Sequence, residues 1–179
     1  RRVDSVGVGD LGRGPGSGDV GGGGDGRLDM DGGELSARLD AAERADRAGR
    51  LGEAIEEFGE ARRLWSGGPA SALAAFAPFA ERFHPVQDRM AGALGRASEL
   101  FLSQQRPRDA MVYADACLEI DPCDERGYRV LASACVERGA FDEARGVLTR
   151  ARGRLLEAGL TPSPELEVLE AIVVARRSP

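Results

Sequence analysis

At 179 residues the chain is long enough for one domain with its own core and too short for two well-filled ones. All 24 basic residues are arginine and none is lysine, which excludes a Walker P-loop, a kinase phosphate-binding lysine and a pyridoxal Schiff base within these residues. The formal charge of −6 is a poor match for a nucleic-acid backbone, whose affinity rests on clustered cations, so direct DNA binding is not expected.

Residues 1–27 read as a flexible linker. About half of the 25 glycines fall at or before Gly33, and Gly7 to Gly26 has almost no large apolar side chain whose burial could offset the entropy of ordering it. Residues 1–27 hold four arginines and four aspartates, so the negative charge belongs to residues 28–179. Gly7-Val8-Gly9-Asp10-Leu11-Gly12 matches the dinucleotide-binding glycine pattern as a string. Its context fails, because no apolar strand precedes it and Gly14, Pro15 and Gly16 come where a helix should open. No cofactor is expected.

Past the linker the chain repeats. Asp109-Ala110 and Glu143-Ala144 are separated by the period of a tetratricopeptide helix hairpin, about 34 residues. With Ala144 opening the second helix of a hairpin, Tyr128, Leu131-Ala132, Cys135 and Gly139 mark the first helix, and Leu148 and Ala151 continue the second. The same ruler from Ala110 gives Leu94, Ala97-Ser98 and Phe101, then Ala114 and Cys117, with Pro122 ending the hairpin. A looser first copy centres on Ala54, with Ala42, Ala45 and Gly49 before it and Phe58 and Ala61 after it. Ala54 and Ala110 stand farther apart than one such period, so an insertion of roughly 22 residues lies between copies one and two. Small residues recur where antiparallel helices must approach closely, and about three stacked hairpins are needed for a continuous core. At the C-terminal end Ser163 suits an N-cap, Pro164 the first helical position and Glu165 the positive end of the helix dipole. Leu166, Leu169, Ile172 and Val173 then form one apolar stripe, expected to cap the exposed end of the array. The fold expected is all-α, with about three tetratricopeptide-like hairpins and a capping helix over residues 28–179.

No catalytic set is legible. Cys117, Cys123 and Cys135 lack the paired spacing of structural zinc, and two of them fall on small core-facing repeat positions. His84 has no serine, cysteine or carboxylate arranged around it as a triad. Glu53, Glu56, Glu57 and Glu60, beside Arg62 and Arg63, describe a solvated helix face. The chain therefore reads as non-enzymatic, with no catalytic, metal or cofactor-binding residue. No run of about 18 apolar residues could span a membrane, and three cysteines without an export signal fit a reducing cytoplasm. The start at Arg1 without methionine reads as a piece of something longer.

Three strings go beyond the generic repeat. Ala61 to Pro69, with Leu64-Trp65-Ser66-Gly67-Gly68-Pro69 at its end, resembles the Leu-Trp-x-Gly-x-Pro passage of the bacterial transcriptional activator domain. Gly159-Leu160-Thr161-Pro162-Ser163-Pro164-Glu165-Leu166 is similar to that domain's closing Gly-Val-x-Pro-Ser-Pro-Glu-Leu, and Asp121-Pro122-Cys123-Asp124-Glu125 to its Asp-Pro-x-x-Glu turn. The resemblance covers about residues 28–175 and implies an actinobacterial regulator of the SARP type, in which such a domain follows a winged-helix DNA-binding domain. No winged helix is legible in these residues, so either they are a fragment or the DNA-binding partner is a separate protein. The family places an aromatic residue early in its first helix, whereas Asp31-Gly32-Gly33-Glu34-Leu35 stands here, so that helix is expected to start late or to pack loosely.

The resemblance implies the effector and protein-interaction half of a transcriptional activator. Its partner would be a second copy of itself, a regulatory domain or the transcription machinery, with DNA reached only through the missing winged helix. The alternative is a general tetratricopeptide adaptor that binds a peptide or partner helix. In such arrays the first helix of each hairpin lines the concave face. The register puts Glu99 and Leu102 of the second hairpin, and Arg126, Arg129 and Ser133 of the third, on that face as candidate partner-binding residues.

Overall fold

The computed structural model describes residues 25–66 and 77–176. Among these residues the chain forms seven helices and no strand: α1 (Asp25–Arg47), α2 (Leu51–Ser66), α3 (Ala77–Ser103), α4 (Pro107–Ile120), α5 (Glu125–Glu137), α6 (Phe141–Glu157) and α7 (Pro164–Ala175). The glycine string Gly7 to Gly12, most of the expected linker, and Gly67 to Pro69 lie outside the described residues. Helix α1 begins at Asp25, so of the two expectations the late start is not met, and its first buried side chain among the described residues is Leu35. No helix among the described residues is long and apolar enough to cross a membrane.

Helices α1–α2, α3–α4 and α5–α6 are three hairpins closed by the same turn. In the third, the Gly139 N–H donates to the Val136 carbonyl at 3.0 Å and the Ala140 N–H to the Cys135 carbonyl at 2.8 Å. That is the pair of bonds of a Schellman cap, which needs a left-handed residue at its fifth position. Gly139 supplies it at φ +75°. The first hairpin repeats the geometry with Gly49 at φ +72° and the bond from Arg50 to Ala45. In the second hairpin the same place is held by Gln105 at φ 56°, with Arg106 bonding back to Phe101 at 3.0 Å. A side chain with a Cβ tolerates this region poorly, so this turn carries backbone strain that its two counterparts avoid.

The turn fixes the register of the second helix in each hairpin. The carbonyls of Arg50, Arg106 and Ala140 accept the N–H groups of Ala54, Ala110 and Ala144, so these three alanines sit at one equivalent place in three successive helices. All three are wholly buried, as are Ala42, Ala97, Ala114 and Ala151. Each marks a point where two helix backbones approach too closely for a larger side chain. Gly127 shows the same constraint more sharply: a Cβ there would lie 2.9 Å from Leu118 Cγ. Around these contacts Leu39, Leu94, Leu131 and Leu155 are at most 2 % exposed, each burial favouring the fold by about 1.5–3 kcal/mol.

Part of the insertion between hairpins one and two is helical. Helix α3 has 27 residues against 13 in α5, its counterpart in the third hairpin, and the extra length lies at its N-terminal end with Pro85 inside it. Contacts also set the curvature. The first helices touch in a row, α1 on α3, α3 on α5 and α5 on α7, whereas the backbones of the second helices of successive hairpins stay farther apart among the described residues. The first helices therefore form the inner, concave row.

Helix α7 closes the array as expected, and two of the three family strings, Asp121 to Glu125 and Gly159 to Leu166, hold it there together. The Ser163 hydroxyl accepts the Leu166 N–H, capping the helix, while the Ser163 N–H donates to both carboxylate oxygens of Glu125 at 2.9 and 3.2 Å. Glu125 opens α5, where Asp124 caps the helix through the Gly127 N–H at 2.9 Å. Tyr128 in turn donates its hydroxyl to the Pro122 carbonyl at 3.0 Å. Leu166 and Val173 are buried and Leu169 packs partly against the core. Ile172, expected in the same stripe, is instead 42 % exposed, because it lies about 100° around the helix from Val173 and turns past the edge that α5 and α6 cover.

Candidate partner-binding surface

The inner row carries two adjoining grooves. Between α3 and α5, Glu99, Leu102, Ser103, Arg129, Val130, Ser133 and Glu137 line an open groove of about 400 Å³. Four of the five residues expected from the register, Glu99, Leu102, Arg129 and Ser133, thus come together in one place. The fifth, Arg126, is outside that lining. Its Nη1 donates to the Gly92 carbonyl at 3.3 Å, and its Nε approaches Glu99 Oε1 at 3.9 Å. Arg126 thereby ties α5 to α3 beside the groove.

Glu99 is the hub of this surface. Its carboxylate receives Arg96 Nη1 at 3.1 Å, and Arg126 Nε and Arg129 Nη2 both stand 3.9 Å away. The two longer contacts are beyond hydrogen-bond length, so they add attraction without saturating the guanidinium donors. Arg129 Nε is buried and has no hydrogen-bond partner among the described residues. The groove floor is apolar at Leu102 and Val130, and its rim carries both signs of charge.

The second groove, between α1 and α3, is lined by Glu43, Asp46, Arg47, Phe58, Arg89, Gly92, Ala93 and Arg96. Here the bridging charges are engaged. Arg96 grips Asp46 with two bonds, Nε to Oδ2 at 2.7 Å and Nη2 to Oδ1 at 2.9 Å. Arg89 reaches Glu43 at 2.9 Å and also pairs with Asp40. The Arg96 hydrogen bonds hold the Asp46 carboxyl below the usual carboxylate range, against the smaller opposing effect of its partial burial. These pairs fasten the first hairpin to the second.

Elsewhere the structure separates residues that the sequence could only group. Cys117 and Cys135 are buried and Cys123 is partly exposed, and burial pushes the Cys117 thiol up to about 12. Glu60 pairs with Arg63 along α2 at 2.7 Å, as a solvated helix face requires. Glu57 does not belong to that face, because it crosses the hairpin to Arg38 at 3.1 Å. Arg62 lies over the Tyr113 ring, 5.0 Å from its centroid, linking the first hairpin to the second. Val130 and Glu137, both missed from the sequence, continue the stripe of Arg126 and Ser133 along α5 at helical spacing, which was the available signal.

Among curated proteins none matches the chain in sequence. Among solved structures, the chain is similar to the TPR2B domain of yeast Sti1, in a structure described as a complex with pHsp70. The identity is 15 %, the TM-score 0.57, and the match covers 80 % of this chain and 98 % of that one. The likeness shows a tetratricopeptide-like arrangement of helical hairpins. The family model of the bacterial transcriptional activator domain matches residues 30–173, spanning all three hairpins and nearly all of α7. The chain therefore belongs to the bacterial transcriptional activator domain family.

Proposed function

We propose that this chain is the effector half of a transcriptional activator, which works by gripping a protein while a separate winged-helix domain reads DNA. The observation that carries the reading is the α3–α5 groove, with its apolar floor at Leu102 and Val130 and the half-exposed charges of Arg129 and Glu99 on its rim. Such a groove suits a segment that presents one apolar side chain flanked by a carboxylate. A regulatory domain, the transcription machinery and a second copy of the chain are the partner classes, in a cytoplasmic regulator of the SARP type. The net charge of −6 and the pairing of arginines with carboxylates along the inner row leave no cationic stripe for a phosphate backbone among the described residues.

The test is a comparison of the chain alone with its fusion to the winged helix of its own regulator. The isolated chain is expected to show no salt-sensitive DNA binding at physiological salt, and the fusion is expected to be required for promoter activation. Tight, sequence-specific DNA binding by residues 28–179 overturns the reading. Full activation by the winged helix alone reduces this domain to a spacer.

A further inference from the structure

We propose that the outer face of α7 is a self-association surface, on which a second copy of the chain lays its own α7 antiparallel. The proposal deepens the reading that a second copy is among the partners, and its failure leaves the groove reading untouched.

Helix α7 occupies the place of the first helix of a fourth hairpin whose second helix is not among the described elements. One edge, Leu166 and Val173, is buried against the third hairpin. The opposite side carries Val168, Ala171, Ile172 and Ala175, spaced as one stripe of a helix, and all four are exposed. Five of the six large exposed apolar side chains among the described residues lie from Leu156 to Val174, at this end of the array. Apolar exposure gathered in this way marks an interaction surface.

Charge selects the occupant and its direction. Glu165 at the start of α7 and Arg176 at its C-cap are both exposed; Arg176 makes no ion pair among the described residues, while Glu165 bonds the Ser163 hydroxyl and lies within the field of Arg129 of its own chain. At about 100° per residue both flank the same edge of the apolar stripe. A two-fold axis midway between them brings Glu165 of each copy against Arg176 of the other and sets Val168 within one residue step of Ile172 of the other copy. A parallel arrangement would stack like charges instead, so the stripe complements itself only antiparallel. With 12 residues in the helix, the contact falls at the low end of interface sizes, below about 1,200 Å² in total, and its dissociation constant is expected on the order of 10–100 µM.

Sedimentation equilibrium of the 1–179 chain from about 5 µM to about 1 mM tests this. A monomer–dimer equilibrium is expected, weakened at least about tenfold by V168D/I172D, whose melting should match the parent because both positions are exposed. E165R and R176E should each lose the dimer alone, and an equimolar mixture of the two should regain it, since each mixed dimer contains two opposite-charge pairs. A chain that stays monomeric to about 1 mM overturns the proposal. So does a dimer that V168D/I172D leaves unchanged, and a mixture that fails to associate overturns the antiparallel geometry.

Discussion

Replacing Glu125 by alanine should loosen the cap of the array. The Ser163 N–H is partly buried and has both carboxylate oxygens of Glu125 as acceptors, at 2.9 and 3.2 Å. Removing the side chain leaves that donor without its partner at the point where α7 begins, and the loss of a charge-assisted bond of this kind costs about 1.5–3 kcal/mol. Glutamine keeps one acceptor oxygen and gives up the charge, so E125Q should cost about half as much. For a domain of this size each kcal/mol lowers the melting temperature by about 2–4 °C, so E125A should melt about 3–12 °C below the parent. The assay is thermal unfolding followed by helix circular dichroism, paired with hydrogen exchange at the Leu166 and Glu167 amides, which bond back to Ser163. Faster exchange there, with exchange in α1 unchanged, places the damage at the cap. If E125A melts within a degree of the parent and α7 keeps its protection, the clasp between the two family strings does not hold this helix.

Gln105→Gly should stabilise the chain by about 1 kcal/mol in a urea titration, because it relieves a left-handed residue at φ 56° in a turn whose counterparts are glycine. Ala144→Leu should destabilise it by about 1–3 kcal/mol in the same titration, since the alanine is wholly buried at a helix-crossing point, and a variant that unfolds with the parent would place that crossing elsewhere. Acid should weaken the join between hairpins one and two. The folded pKa of Asp46 is lowered from 3.8 by Arg96, so its contribution is complete above that unfolded value and is lost as pH falls through the lower folded one. D46N should flatten the fall in urea midpoint below about pH 4.

How much of this was legible in the sequence depended on whether the signal was local. The hairpins were legible because Ala110 and Ala144 repeat at the structural period and helix crossings admit only small residues there. The cap of α7 was legible because Ser163, Pro164 and Glu165 act within one turn. The clasp between Glu125 and Ser163 was not, since nothing in either string announces a partner 38 residues away. Helix α3 came out longer than its repeat because an insertion interrupts the ruler by which helix ends are read. Ile172 went to the wrong side for a different reason: α7 is apolar around most of its circumference, and periodicity cannot say which of two apolar faces is covered. On the inner row, Glu99, Leu102, Arg129 and Ser133 followed from the register within hairpins. The bidentate grip of Arg96 on Asp46 required the register between hairpins, which sequence spacing across the insertion does not supply.

The central claim, that the inner groove does its work by holding a protein, is tested most directly by separating DNA occupancy from activation in one regulator. R129E and L102D, each exchanging a groove side chain for one of the wrong chemistry, would be placed in the fusion with its winged helix, and promoter occupancy and transcript output measured side by side. Occupancy should stay at the parental level while transcript output falls at least about tenfold, the loss expected when a central contact of an interface is reversed. Unchanged output from both variants at unchanged occupancy would contradict the claim.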